Sequence, residues 1–180
     1  VFAQGAVGAL QTGSIEQRID AMLNIGYARN RAGFWYLVKY LEYDRAEEET
    51  ATAVRLRVAA AESLGRLNDE RAIPHLVERF GKEQSPEVKA RILFALGMYR
   101  DERARQVIAG ALDDKSEDIR YQAVVAAAGH QHPDFYEKLK AIAGNDSDAG
   151  IRLAGAFALC RAGVEQQKYG PMLVDTLQSK

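Results

Sequence analysis

"LGRLNDERA" at residues 64–72 and "LGMYRDERA" at 96–104 are two copies of one phrase, the second beginning 32 positions after the first. Self-similarity at a period of roughly 20–50 residues marks stacked supersecondary units. With Gly65 and Gly97 taken as equivalent, the apolar residues before them superpose as Leu56, Ala60, Leu64 and as Val88, Ile92, Leu96. Each set is an i, i+4, i+8 row on one helical face. The row returns as Ile119, Ala123, Ala127 and as Ile151, Gly155, Leu159, and a basic residue follows its first member every time: Arg57, Lys89, Arg120, Arg152. A weaker, earlier copy runs Gln17, Arg18, Ala21, Ile25, Gly26.

A short polar turn and a second helical pattern follow each copy. Ile73, Leu76, Val77 and Phe80 fall at i, i+3, i+4, i+7, with Pro74 early, where a missing N–H costs little. Phe34, Leu37, Val38, Leu41 repeat the spacing, Ala104, Val107, Ile108 begin it again, and Ala3, Ala6, Val7, Leu10 place a helix at the start. Ser14 with Gln17 forms a capping box, Ser85-Pro86-Glu87 sets a cap before a proline at the first helical position, and Ser116-Glu117-Asp118 puts acids at a positive helix end. Strand patterns are absent. The expected architecture is all-α: one repeat domain over 1–180, of five antiparallel helix pairs at about 1–28, 31–66, 70–98, 102–130 and 133–163, and a final helix at 170–178.

The step from Gly26 to Gly65 is 39 residues, so about seven extra residues enter the second unit, within 42–53. That charged stretch reads as a solvated loop or helix extension, with a lip over one end of a binding surface as the functional alternative. Phe34-Trp35-Tyr36 cannot all face the core of one helix. Core burial with cover from the insertion is expected for the cluster, and an outer contact patch is the alternative.

A row written V/I/L-R-x-x-A-A-x-x-L-G, a turn with D-x-R-A and then P-x-L resembles the HEAT repeats, specifically the short kind first described in phycobilin lyases. The resemblance covers essentially the whole length and is closest over 54–112. It implies a right-handed α-solenoid in which the "VR" helices line the concave side. It also implies a structural ladder pairing Arg57 with Asp69 and Lys89 with Asp101, ending early because His132 and Val164 take the turn position in the later units. It implies no one activity, since the family holds chromophore lyases and isomerases, adaptors and transport scaffolds. The His-Glu pairs that hold iron in hydroxylase members of the superfamily do not occur.

Composition narrows the function classes. Twenty-four basic against twenty-five acidic residues give a formal charge of −1, with no excess of cations to release counterions from nucleic acid. No run of eighteen apolar residues exists, so no membrane span is expected. One cysteine, Cys160, excludes an internal disulfide framework. The chain begins at Val1, and "VFAQ" reads as the end of a secretory signal cut after Ala3, although the apolar stretch such a signal needs is not in view. The compartment stays open, with the cytoplasm slightly favoured and periplasm or secretion the alternative that the "VFAQ" start offers.

Two residues along a helix turn direction by about 200°, so the row shifted by two from the core row faces away from it. There stand Leu23, Tyr27, Glu62, Arg66, Phe94, Met98, Tyr121, Val125, Phe157 and Arg161, with Arg91 beside them. Either these residues complete a core squeezed between neighbours, or they form an apolar stripe with a charged rim suited to a protein or peptide.

Metal and catalytic signals are weak. His130-x-His132 with Asp134 reads as a pair of turn histidines, "DSDAG" at 146–150 lacks the acids of a calcium loop, and "GAVG" at 5–8 has no preceding strand. Cys160 takes the glycine-like slot of its unit and reads as a buried thiol. The sequence therefore predicts a non-enzymatic scaffold or adaptor that binds protein or peptide, with no cofactor and no metal. The alternative is a lyase- or chaperone-like protein handling a bound chromophore or small ligand. Self-association through the solenoid ends is a further expectation, from Met172, Leu173 and Leu177.

Overall fold

The structure, a computed structural model, describes residues 8–43 and 51–178, with side chains in the last helix as far as residue 175. Residues 8–12 are helical; the rest of the expected opening helix, and 44–50 of the insertion, lie outside the described residues. The helices are α1 (Ile15–Tyr27), α2 (Phe34–Leu41), α3 (Ala51–Leu67), α4 (Ala72–Lys82), α5 (Pro86–Leu96), α6 (Glu102–Ala111), α7 (Glu117–His130), α8 (Tyr136–Asn145), α9 (Ala149–Arg161) and α10 (Gln166–Gln178). Short 3-10 turns at Arg31–Gly33 and Pro133–Phe135 lead into α2 and α8. There is no strand among the described residues.

Local chemistry sets these bounds. Ser14 and Gln17 close a reciprocal capping box on α1, Ser85 caps α5 ahead of Pro86, and the Asp148 carboxylate accepts from the Ile151 N–H at 2.8 Å to cap α9. The "DSDAG" acids are thus structural: Asp148 is a cap and Asp146 an ion-pair partner. Likewise His130 is buried edge-on against Phe135, and His132 Nδ1 accepts from the Asp134 N–H.

The chain divides into two compact units at Ala104–Arg105, within α6. In the first unit α3 packs against both α1 and α5, with α2 and α4 behind them. The periodic row is its core: Leu56, Ala60, Leu64 and Val88, Ile92, Leu96 are all 0–1% exposed. Two glycines bring the helices close. A Cβ on Gly26 would stand 2.7 Å from Ser63 Cα, and one on Gly65 2.7 Å from Ala95 Cα. The slot glycine of one helix thus presses on the residue two places before the slot of the next. Tyr99 fastens the same joint by donating to the Leu64 carbonyl. In the second unit α9 packs against α7, α8 and α10, and its row Ile151, Gly155, Leu159 is buried.

The expected Arg–Asp ladder is corrected. Arg57 donates to Glu83 (Nε to Oε2, 3.0 Å) and to the Tyr43 carbonyl (3.1 Å). Arg79 donates to the same carboxylate at 2.8 Å, and the Gln84 and Ser85 N–H groups donate to it as well. Asp69 instead bonds Arg71, both the N–H and the guanidinium, and Asp101 bonds Arg103 identically. Two residues away, those carboxylates close a tight turn ahead of the next helix, which takes them from the ladder. The actual rung reaches 26 residues forward, Arg57 to Glu83 and again Arg120 to Asp146 at 2.8 Å, so it persists in the later unit where it was expected to have ended. Lys89 lies over the Phe80 ring.

Trp35 is a second correction. The core face of α2 is Phe34, Leu37, Val38 and Leu41, so Trp35 turns outward, 64% exposed and edge-on to Phe34 and His75. Cys160 is half-buried rather than enclosed, in the last turn of α9.

Candidate functional site

Each unit presents the row shifted by two from its core, and in neither is that row buried. In the first unit Tyr27 at the end of α1 is 61% exposed, Met98 beyond α5 is exposed, and Leu23, Glu62, Arg66, Arg91 and Phe94 are half-buried. The Arg66 guanidinium lies 4.4 Å from the Tyr27 ring centre and 5.6 Å from that of Phe94, while Arg91 lies 5.4 Å from Phe94. Contacts of this kind at exposed sites contribute about 0.5–1 kcal/mol. Glu62, one turn before Arg66 on α3, accepts from its Nε at 3.0 Å and stands 3.4 Å from Arg91. Three helices thus lend side chains to one linked surface cluster.

In the second unit Tyr121 and Val125 on α7 and Phe157 and Arg161 on α9 are exposed, Phe157 by 53%. They border a cleft of about 500 Å³. Val124 and Ala128 of α7, Gly150, Leu153 and Ala154 of α9, and Leu173 of α10 complete its lining. Ala128, Gly150 and Ala154 in that lining are small and take up little of the space. The polar side chains among its lining residues are those of Tyr121 and Arg161; the other lining side chains are apolar. Such a site suits a flat apolar ligand with a polar or anionic edge.

Sequence reasoning put Tyr121, Val125, Phe157 and Arg161 in this row but missed the wall that Leu173 supplies. In the sequence Leu173 stands with Met172 and Leu177 as an apolar face for self-association, a pattern that does not say which helix it meets. Among the described residues no cluster of three or more His, Cys, Asp and Glu could hold a metal ion, and no helix is long and apolar enough to cross a membrane.

A family model for HEAT repeats matches residues 81–160, and one for the PBS lyase HEAT-like repeat matches 56–81. No curated protein matches the sequence. Among solved structures the fold is similar to a chain in the complex of CpcE and CpcF of phycocyanin lyase from Nostoc sp. PCC7120, with TM-score 0.75 and 22% identity, covering 96% of this chain and 69% of that one. Human deoxyhypusine hydroxylase in complex with glycerol matches at TM-score 0.45 and 14% identity, over 99% and 85%. The first likeness is one of fold, and the fold is an all-α solenoid. The repeat model at 56–81, that of the PBS lyase HEAT-like repeat, overturns the expectation of a chain without enzymatic activity and points toward a lyase.

Proposed function

Since the chain belongs to the HEAT-repeat proteins and carries repeats of the phycobilin-lyase kind, we propose that it serves a lyase-type function in which the second unit holds a chromophore or a comparable flat, apolar ligand. The cleft between α7, α9 and α10 carries this reading. At about 500 Å³ it lies within the ~300–1,000 Å³ of ordinary ligand sites. Tyr121 and Phe157 offer ring faces to a conjugated system. Arg161 offers donors to a carboxylate. In this scheme the chain binds and orients the ligand for transfer, in company with a second protein chain.

The test is a titration of the purified protein with an open-chain tetrapyrrole, read by the visible absorbance of the pigment. A shifted spectrum is expected, with Phe157→Ala and Arg161→Gln each weakening binding about tenfold. Equal titration curves for wild type and Phe157→Ala would remove the cleft from the function. Pigment transfer to an acceptor protein, followed by fluorescence of the denatured product, tests the lyase step.

A second reading, a protein- or peptide-binding scaffold, is supported by the first unit. Tyr27, Phe94 and Met98 with Arg66 and Arg91 form an aromatic and basic surface of the composition that protein contacts favour. Self-association through α10 is a further version of it.

A further inference from the structure

The cluster on the first unit is charged unevenly. Glu62 serves two cations, holding Arg66 closely and Arg91 at 3.4 Å, and the groups around them, Tyr27, Phe94 and Met98, carry no charge. One carboxylate facing two guanidiniums leaves positive charge at the centre of an otherwise apolar face. Each guanidinium lies against an aromatic ring, which occupies its flat side and leaves its in-plane N–H groups as the means of bonding a partner. Glu62 sits where an incoming acid would sit.

We propose, resting on the scaffold reading, that this face docks an acidic segment of a partner protein. A carboxylate of that segment displaces Glu62 from between Arg66 and Arg91, and an adjoining apolar side chain covers Tyr27 and Met98. Glu62 is then an internal stand-in for the ligand: it occupies both arginines in the free protein and competes with the docked acid. The formal charge of −1 over the whole chain favours a peptide acid over the phosphates of a nucleic acid, for which broad positive charge is the usual footprint.

A phage-displayed peptide library selected on the full chain, followed by fluorescence anisotropy with the best peptide, tests this. The enriched peptides should join Asp or Glu to an aromatic or aliphatic residue, and binding should weaken with salt. Arg66→Gln and Arg91→Gln should each reduce affinity about tenfold or more. Glu62→Gln should raise it several-fold, because it removes the competing acid; a residue that merely supported the fold would do the reverse. Arg66→Lys, which keeps the charge and loses the planar stack, serves if the glutamine variant melts early. Peptides without acids, lost on Phe94→Ala, would overturn the acidic occupant while leaving the scaffold reading intact. No enrichment at all would overturn both, and weaker binding by a folded Glu62→Gln protein would overturn the competition.

Discussion

In the first unit the residues two places beyond the core row are Val58, Glu62, Arg66 and Ala90, Phe94, Met98; in the second they are Tyr121, Val125, Gly129 and Leu153, Phe157, Arg161. The first set is tied together by guanidinium–ring contacts and a shared carboxylate. In the second, Gly129 stands where the first has Arg66 and Met98, the neighbouring Ala128, Gly150 and Ala154 are small, and a cleft remains. The core rows of the two units are interchangeable in kind, aliphatic and buried in both. The repeat therefore fixes one face of each helix and leaves the opposite face free to become a surface or a pocket, according to side-chain size.

The ion pairs are where the two units should differ most. Glu83→Gln is expected to cost about 3–5 kcal/mol, since it leaves Arg57 and Arg79 around a buried neutral amide. Asp146→Asn should cost less, roughly 1–3 kcal/mol, because the Arg120–Asp146 pair is less fully buried than Arg57–Glu83 and Arg120 keeps the Asp114 and Lys115 carbonyls. Urea unfolding measures both, and equal losses would erase the contrast. Acid should act through the same groups. Burial pushes the Glu83 carboxyl up, but Arg79, the Ser85 N–H and Arg57 together hold it below its ordinary 4.5. The Arg120 hydrogen bonds hold Asp146 below its ordinary 3.8. A carboxyl depressed by folding contributes fully above its unfolded value and loses that contribution as pH falls through the folded one. The melting temperature should hold above about pH 5 and fall progressively below about 4.5, with a shallower fall in Glu83→Gln.

The glycines give the next contrast. Gly65→Ala drives a Cβ to 2.7 Å from the Ala95 Cα, a backbone atom that cannot step aside alone. It should cost about 1–2 kcal/mol even after the gain in helix propensity. Gly155→Ala meets its nearest neighbours at 3.2–3.3 Å, and the same gain should leave it within about 0.5 kcal/mol of wild type. A similar loss at both positions would show that the second unit is packed as tightly as the first. Smallest of all, Phe157→Ala should change stability by less than about 0.5 kcal/mol, since the ring is more than half exposed. A larger loss would make it a core residue and count against the cleft.

Sequence periodicity was sufficient for helices, core rows, caps and slots because each depends on residues within a few turns of one another. Leu56, Ala60 and Leu64 announce a buried stripe by spacing alone, and Ser14 with Gln17 announces a helix start. The misses involve distance. That Arg57 pairs with Glu83 and not Asp69 depends on how α3 settles on the loop between α4 and α5, and Asp69 had a nearer cation in Arg71. Phe34-Trp35-Tyr36 was expected to be buried as a cluster with cover from the insertion, yet helix phase gave the buried places to Phe34 and Leu37. The row carrying the candidate site was legible as a row. Whether it would stay open depended on neighbours such as Leu173 and on the small residues beneath, which no local pattern weighs.

The forward reach of the arginine rung decides where this chain can be cut and copied. A duplication of 54–85 carries Arg57 together with its acceptor Glu83, and the new copy arrives with its joint complete. A duplication of 70–98, the helix pair as the eye draws it, brings a second Glu83 without its Arg57 and sets a carboxylate inside with the Arg57 donors missing. Recombination among such arrays should favour the first frame, so the heritable module straddles the hairpin instead of coinciding with it.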